Sequence, residues 1–430
     1  MAVTSRRRRA ARAGTTPVPL RSELLGLEHL EERARILAVS FSVTRDPRKS
    51  PSRPLAALDE DARVLRDAYH ELVQAVRRGE DVPPAAEWLL DNFHEVEAAI
   101  RDVRRNLPRH FYRDLPKLAA RDQGGRARIH ALAVEFIRHS DARFDLHRLT
   151  RFLLAFQTVA PLTLGELWAW PSMLKLCLLT NLAALSEEIL VSRDGEAEAD
   201  RYFLLFESIG DKPLPPLPER PTTSFVLQIL RRMRELAPRV GELRIELDRR
   251  LAELGLETDA AVRAEHQGQT MGHASVSNSI TSLRLVSSLD WNRAVEKVSL
   301  MEQILQRDPA GVYPRMDFAS RDRYRQAVEE LAEPTGDAQV RVALRVVESA
   351  REGQEKYAGD ARCAHVGHYL IGPGRRGFET DVGFVPRLVD RFRRPIFHHA
   401  TTFYLGSIAL LTGAGVAAAW LFAWAHGATP

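Results

Sequence analysis

The chain is 430 residues long, with 61 Lys and Arg against 57 Asp and Glu for a net charge of +4, and 45% of it is hydrophobic. That length supports one large or two modest units with cores of their own, so no covalent staples are needed. The two cysteines, Cys177 and Cys363, lie too far apart in sequence to form a framework, which excludes the disulfide-rich secreted class and predicts free thiols.

Arg6, Arg7, Arg8, Arg9 and Arg12 open the chain ahead of the breaker-rich GTTPVP, so residues 1–19 read as a disordered basic arm. No apolar run follows it, which excludes a secretory signal. The arginines carry no interleaved aromatic residues and no binding-module pattern follows, so nucleic acid is not an expected partner; anionic lipid heads suit such a cluster better.

The dominant pattern thereafter is helical. In AALDEDARVLRDAYHELVQAVRRG the apolar Leu58, Ala62, Leu65, Tyr69, Leu72, Val73 and Val76 recur at helical spacing, and in PPAAEWLLDNFHEVEAAIRDVRRN the set Trp88, Leu89, Phe93, Val96, Ile100 and Val103 does so again. Pro83 and Pro84 start that second helix and Pro108 closes it. The pattern continues through RARIHALAVEFIRH, DLHRLTRFLLAFQTVA and TLGELWAWPSMLKLCLLTNLAALSEEIL. There Thr163 and Glu166 have capping-box spacing, and Pro171 predicts a kink or a restart. Further helical runs occupy roughly 222–255, 257–289, 290–307, 317–333 and 337–358. HVGHYLIGPGRRGFETDVGFV, without helical period, reads as a loop or short hairpin. Two segments read as linkers: SVTRDPRKSPSRP and a proline-rich one at 211–223. The expected class is all-α: helical lobes at 20–210 and 224–392 joined by the proline-rich linker, then one transmembrane helix at 403–425.

That last segment, FYLGSIALLTGAGVAAAWLFAWA, is 23 residues without a charge. As a helix it spans roughly 35 Å, enough for a bilayer core of about 30 Å. Tyr404, Trp420 and Trp424 sit near its ends, where interfacial aromatics belong. Arg387, Arg391, Arg393 and Arg394 precede it, so the positive-inside rule places the preceding residues in the cytoplasm. A chain that stops so soon after its first span reads as the front of something longer.

Several short patterns tempt a chemical assignment and none is complete. Asp59–Asp61 reads DED, a metal-carboxylate spacing, but it opens an amphipathic helix where acidic residues meet the dipole. His94 and Glu95 begin an HExxH whose second His is Ala98. Cys363, His365 and His368 are three possible ligands without a fourth, and GPGRRG at 372–377 lacks the strand and helix of a phosphate loop. No catalytic residue, metal site or cofactor is assigned. Arg284, Asp290, Trp291, Asp317, Arg321, Asp322 and Tyr324 are kept as interaction candidates, with Asp290 and Asp317 also suited to helix caps.

HQGQTMGHASVSNSITSL, from His266 to Leu283, holds 18 residues without Asp, Glu, Lys or Arg, where the overall 27% would put about five. Val276, Ile280 and Leu283 form a helical stripe among small polar residues, which favours a packed helix over a polar wall facing a sugar chain.

VSNSITSLRLVSSLDW followed by DPAGVYPRMDFASRDRYRQAVE resembles the N-terminal region of bacterial cyclic β-1,2-glucan synthases. EWLLDNFHEVEAAIRDVRRNLPRHFYRDLPKL, PLTLGELWAWPSMLKLCLL and HVGHYLIGPGRRGFE resemble further blocks of that region in the same order. The resemblance implies part of a large inner-membrane enzyme that builds β-1,2-glucan from UDP-glucose. It would be a cytoplasmic module without catalytic residues of its own, whose partners are the bilayer, the remaining synthase domains and β-1,2-glucan. The acceptor motif Q-x-x-R-W is approached only by Gln228 to Arg232 and lacks its Trp. A self-sufficient membrane-anchored scaffold is the alternative from another class.

Overall fold

The structure, a computed structural model, describes residues 18–44, 54–119, 125–208, 213–233, 240–335, 338–357, 360–384 and 400–425. The basic arm up to residue 17, most of the first linker and the arginines at 387–394 lie outside them. Among the described residues helix makes up 78% and the sheet is one two-stranded ribbon, so the all-α expectation holds. Contacts divide the chain into two compact units, up to Ser299 and from Leu300 onward.

The first unit begins with α1 (Leu27–Ser40), β1 (Val43–Thr44), α2 (Pro54–Arg77), α3 (Pro84–Asp91), α4 (Phe93–Asn106), α5 (Arg109–Asp114) and β2 (Lys117–Leu118). It continues with α6 (Arg128–Ser140), α7 (Leu146–Gln157), α8 (Leu164–Ser208), α9 (Thr223–Met233), α10 (Val240–Glu253), α11 (Thr258–Ser288) and α12 (Trp291–Val298). α8 is the axis. Its 45 residues extend about 68 Å, and α2, α4, α6, α9 and α11 all pack on it. Met173, Leu174, Leu176, Cys177, Leu178 and Leu179 are buried around its circumference, as a helix apolar on every side requires. Around its first turns Phe136, Phe152 and Trp170 form an aromatic core, with Phe136 to Phe152 centroids 5.0 Å apart. Complete burial of each such ring stabilises by roughly 1.5–3 kcal/mol.

The expected capping box starts α8: Glu166 accepts from the backbone N–H and hydroxyl of Thr163, and the Thr163 hydroxyl accepts from the Glu166 N–H. Arg128 completes it with a buried two-point ion pair to Glu166 at 2.9 and 2.7 Å. α8 then runs through Pro171 without the expected restart, because packing on several sides outweighs one lost backbone bond. The expected single helix over 83–106 does break. Asn92 folds its side-chain amide back onto the Trp88 carbonyl, ending α3 and starting α4.

The contact boundary at Ser299/Leu300 is not at the proline-rich segment where two lobes were expected to part. Leu214 and Leu217 pack against a core drawn from both sides of that segment, including Tyr202, Phe203, Phe225, Leu243 and Leu247. The Tyr202 hydroxyl donates to Pro215 O at 2.8 Å. Residues 213–222 are thus a strap laid on its own flanking helices. A Cβ at Gly195 would collide with the hydroxyls of Thr222 and Ser224, so a glycine is what lets α8 approach α9 this closely.

The second unit contains α13 (Leu300–Leu305), a 3-10 turn at Tyr313–Arg315, α14 (Phe318–Thr335), α15 (Gln339–Lys356), a 3-10 turn at Ala361–Ala364, α16 (Val366–Leu370), α17 (Arg375–Asp381) and α18 (Ala400–Ala425). α15 packs on α13, α14 and α16, burying Val342, Val346, Val347 and Ala350. Within the segment expected as a loop or hairpin, 365–385, of which residues up to 384 are described, lie the two short helices α16 and α17. At five and seven residues they are too short for a period to show in sequence. α18 has a stretch, Tyr404–Phe422, long and apolar enough to cross a membrane.

Candidate functional site

In the first unit the polar residues of α11 meet a strained corner. Asp141 and Ala142, which end α6, both adopt left-handed backbone with φ of 46° and 55°. For residues with a Cβ this costs roughly 1–2 kcal/mol each, so something must hold them. Ser275 donates to the Asp141 carboxylate, Asn278 donates to both its backbone and side-chain oxygens at 3.2 and 3.1 Å, and Ser282 donates to Ala142 O. One turn away Ser279 accepts from the Asn181 side-chain amide, whose oxygen receives the Leu20 N–H. Ser275, Ser279 and Ser282 of the charge-free stretch are therefore buried and employed, and packing is the correct reading for the side of the helix that they share with Val276, Ile280 and Leu283.

Three interaction candidates belong to this unit. Arg284 pairs with Glu95 at 2.9 Å and donates to Asn92 Oδ1. Asp290 caps α12 by accepting from Arg293 N, and Trp291 donates its indole N–H to Val286 O. Trp291 also lines a shallow apolar recess with Leu149, Leu153, Trp170 and Val295.

The densest polar network lies in the second unit and gathers the other candidates. Asp308, its side chain fully buried, accepts from Val312 N, Tyr313 N and Val366 N at 3.0 to 3.1 Å and meets His365 Nδ1 at 2.9 Å. Burial alone would raise the pKa of its carboxyl, but the His365 hydrogen bond and the backbone donors outweigh that and hold it below the usual range. With Nδ1 donating to this carboxylate, Nε2 of His365 is left to accept from the Tyr324 hydroxyl at 3.2 Å. Beside this line Glu302 accepts from the Tyr313 hydroxyl at 2.7 Å and from Arg325 at 3.1 Å. Arg321 reaches the same carboxylate at 3.4 Å, and Arg325 lies over the Phe318 ring and bonds Asp322. Asp317 caps the start of α14 through Ser320 N.

The Asp308–His365–Tyr324 line has the connectivity of a nucleophile relay, yet its terminal hydroxyl is not primed. Burial, with the Asp308 charge behind it, pushes the Tyr324 phenol pKa up. A Cβ on Gly367 would lie 2.5 Å from the Tyr324 hydroxyl, so no reacting group fits on that side. The arrangement pins the DPAGVY turn to α14 and α16.

Glu302, Asp308, Tyr313 and Arg325 were not among the sequence candidates. The only advance signal was Asp308 in a turn motif, because the bonds that join these residues into one network, Tyr313 to Glu302, Arg325 to Glu302 and Val366 to Asp308, are made across 11, 23 and 58 positions of sequence. Cys363, His365 and His368 diverge: His368 stacks edge-on against Tyr369, and the Cys363 thiol faces Asp360. Among the described residues no cluster of His, Cys, Asp and Glu could hold a metal ion. Arg375 of GPGRRG is paired with Glu330 and Glu379. Asp59 and Asp61 turn to Arg104 and Thr180 respectively. Both cysteines are free and buried.

No family model matches the chain. In sequence it is 32% identical over 348 residues, 79% of its length, to the cyclic beta-(1,2)-glucan synthase NdvB of Rhizobium meliloti (strain 1021). It spans only 12% of the length of that protein. The resemblance is thereby shown: in sequence this chain is a relative of a cyclic β-(1,2)-glucan synthase and corresponds to a small part of its length.

Proposed function

We propose that the chain acts as a non-catalytic, membrane-anchored helical module that supports UDP-glucose-dependent synthesis of cyclic β-1,2-glucan. The similarity to a cyclic β-(1,2)-glucan synthase over 79% of the chain carries this reading. The use of the polar groups is consistent with it: Asp308, His365, Tyr324, Glu302 and Arg325 bond one another. α18 supplies the anchor, and the arginines before it favour an inner-membrane location with the helical units in the cytoplasm. Its partners are then the bilayer, the other synthase domains and the glucan.

Two measurements test this. Purified chain incubated with radiolabelled UDP-glucose is expected to transfer no glucose to acceptor, and incorporation would overturn the non-catalytic role. In the native host, deleting the coding sequence for residues 18–392 is expected to reduce cyclic β-1,2-glucan. An unchanged glucan yield would favour a scaffold of unrelated purpose.

A further inference from the structure

α11 has two sides of different character. Ser275, Val276, Ser279, Ile280, Ser282 and Leu283 are buried, whereas His266, Gln267, Thr270, His273, Ala274 and Thr281 are exposed. The exposed side therefore runs from His266 to Thr281, about 22 Å of helix, without a formal charge, and is bounded by the exposed Arg263 and Arg284. The solvated face of a helix normally carries Glu, Lys and Arg. The side chains of His266, Gln267 and His273 have no hydrogen-bond partner among the described residues, so flat donors and acceptors stand unused along the track.

We propose that this face of α11 is a docking track for a neutral polyhydroxylated chain, a β-linked glucan. An anionic partner such as nucleic acid or lipid heads would require cations, and none lies between Arg263 and Arg284. A protein partner would require apolar or aromatic anchors, and the face offers only Met271. A chain of hydroxyls needs many modest donors and acceptors and no charge, which is what amide, imidazole and hydroxyl groups in a row supply. The proposal rests on the reading that the chain serves glucan synthesis.

The test uses the full chain in nanodiscs, titrated with linear β-1,2-gluco-oligosaccharides and, separately, with a β-1,4-linked gluco-oligosaccharide, followed by calorimetry. Saturable binding of the β-1,2 series is expected, weakened by about tenfold or more in a His266→Ala, Gln267→Ala, His273→Ala variant that unfolds at the wild-type temperature. A second variant, Thr270→Glu, keeps helix propensity, adds a charge to the track and should weaken binding as well. Absence of saturable binding, equal affinity in all variants, or crosslinking of a second protein chain across His266–Thr281 would each overturn the track. If the track fails while deletion of the module still lowers glucan yield, the proposed function stands and only this inference falls. If the track binds but deletion leaves the yield unchanged, the proposed function falls and the binding face stands.

Discussion

Replacing Asp308 with Ala removes one side chain that answers four donors. Val312 N, Tyr313 N, Val366 N and His365 Nδ1 each lose an acceptor in a site without solvent at the carboxylate. A stranded buried donor costs about 1–3 kcal/mol, so the four together bring an unrelieved loss of about 4–12 kcal/mol. Relief of the carboxylate's own desolvation and rewetting of the turn at Val312 reduce the simple sum, so the net expectation is about 3–5 kcal/mol. Hydrogen exchange read by mass spectrometry suits a chain with two units, because peptides from α8 serve as an internal reference. Protection of amides in 300–384 should fall by about two to four powers of ten in Asp308→Ala, with α8 unchanged. Asp308→Asn, which keeps an acceptor oxygen, should lose less. The carboxyl's folded pKa is depressed below its ordinary 3.8, so the ionised form favours the fold. The stabilisation is full above 3.8 and disappears as pH falls through the lower folded value. The Asn variant should lack that acid-dependent step. Protection in Asp308→Ala within threefold of wild type would refute the staple.

Burial pushes the Lys117 ammonium down to about 8 against the pull of Asp114 and Glu166, so the unfolded chain holds that proton alone between about 8 and 10.5. Stability should rise across that window by at most about 3 kcal/mol in wild type and stay flat in Lys117→Met, as followed by urea unfolding at several pH values. Asn278→Ala removes two of the three side-chain bonds to Asp141, leaving the one from Ser275, and should cost about 1–2 kcal/mol in the same assay; no change would mean that the corner holds without Asn278. A Cβ at Gly353 would strike the Tyr369 hydroxyl and the Cys363 carbonyl, so Gly353→Ala should destabilise by about 1–3 kcal/mol and raise exchange in α15. Leu411→Lys in the middle of α18 should add about 3 kcal/mol to insertion and move the chain from the carbonate-resistant membrane fraction to the soluble one.

Helix was legible because burial has a period. Leu58, Ala62, Leu65 and Leu72 are each fully buried in α2, as their spacing predicts. The stripe drifted at its end, where Ala75 is buried and Val76 is 49% exposed, because the neighbouring helices rather than the apolar count decide which side is covered. What the pattern did not show is long-range. Nothing near Asn92 announces that its side chain would bond Trp88 O and receive Arg284, and nothing in DPAG announces that its carboxylate would seat Val366, 58 residues away. The proline-rich segment misled for a related reason. Proline density predicts a segment outside helix and strand, which 213–222 is, but whether that segment spans solvent or lies on a core depends on Leu214 and Leu217 finding Tyr202 and Phe225.

The candidates that sequence offered as chemistry are mostly consumed by the fold. Asp290 and Asp317 cap helices, Arg284 and Arg321 neutralise carboxylates, Asp322 holds Arg325, and Tyr324 closes a buried relay. A polar side chain whose donors and acceptors are satisfied inside gains little from an external partner, because each new bond breaks an old one. The groups left with capacity are those at the surface with no internal partner. On α11 these are His266, Gln267 and His273, in the half of the charge-free stretch that the apolar stripe of Val276, Ile280 and Leu283 does not reach. Packing and a sugar-facing wall were posed as rival explanations of one missing set of charges. A helix has two sides, and the buried serines answer for one of them only; the uncharged exposed side still requires a reason, and a neutral ligand supplies it.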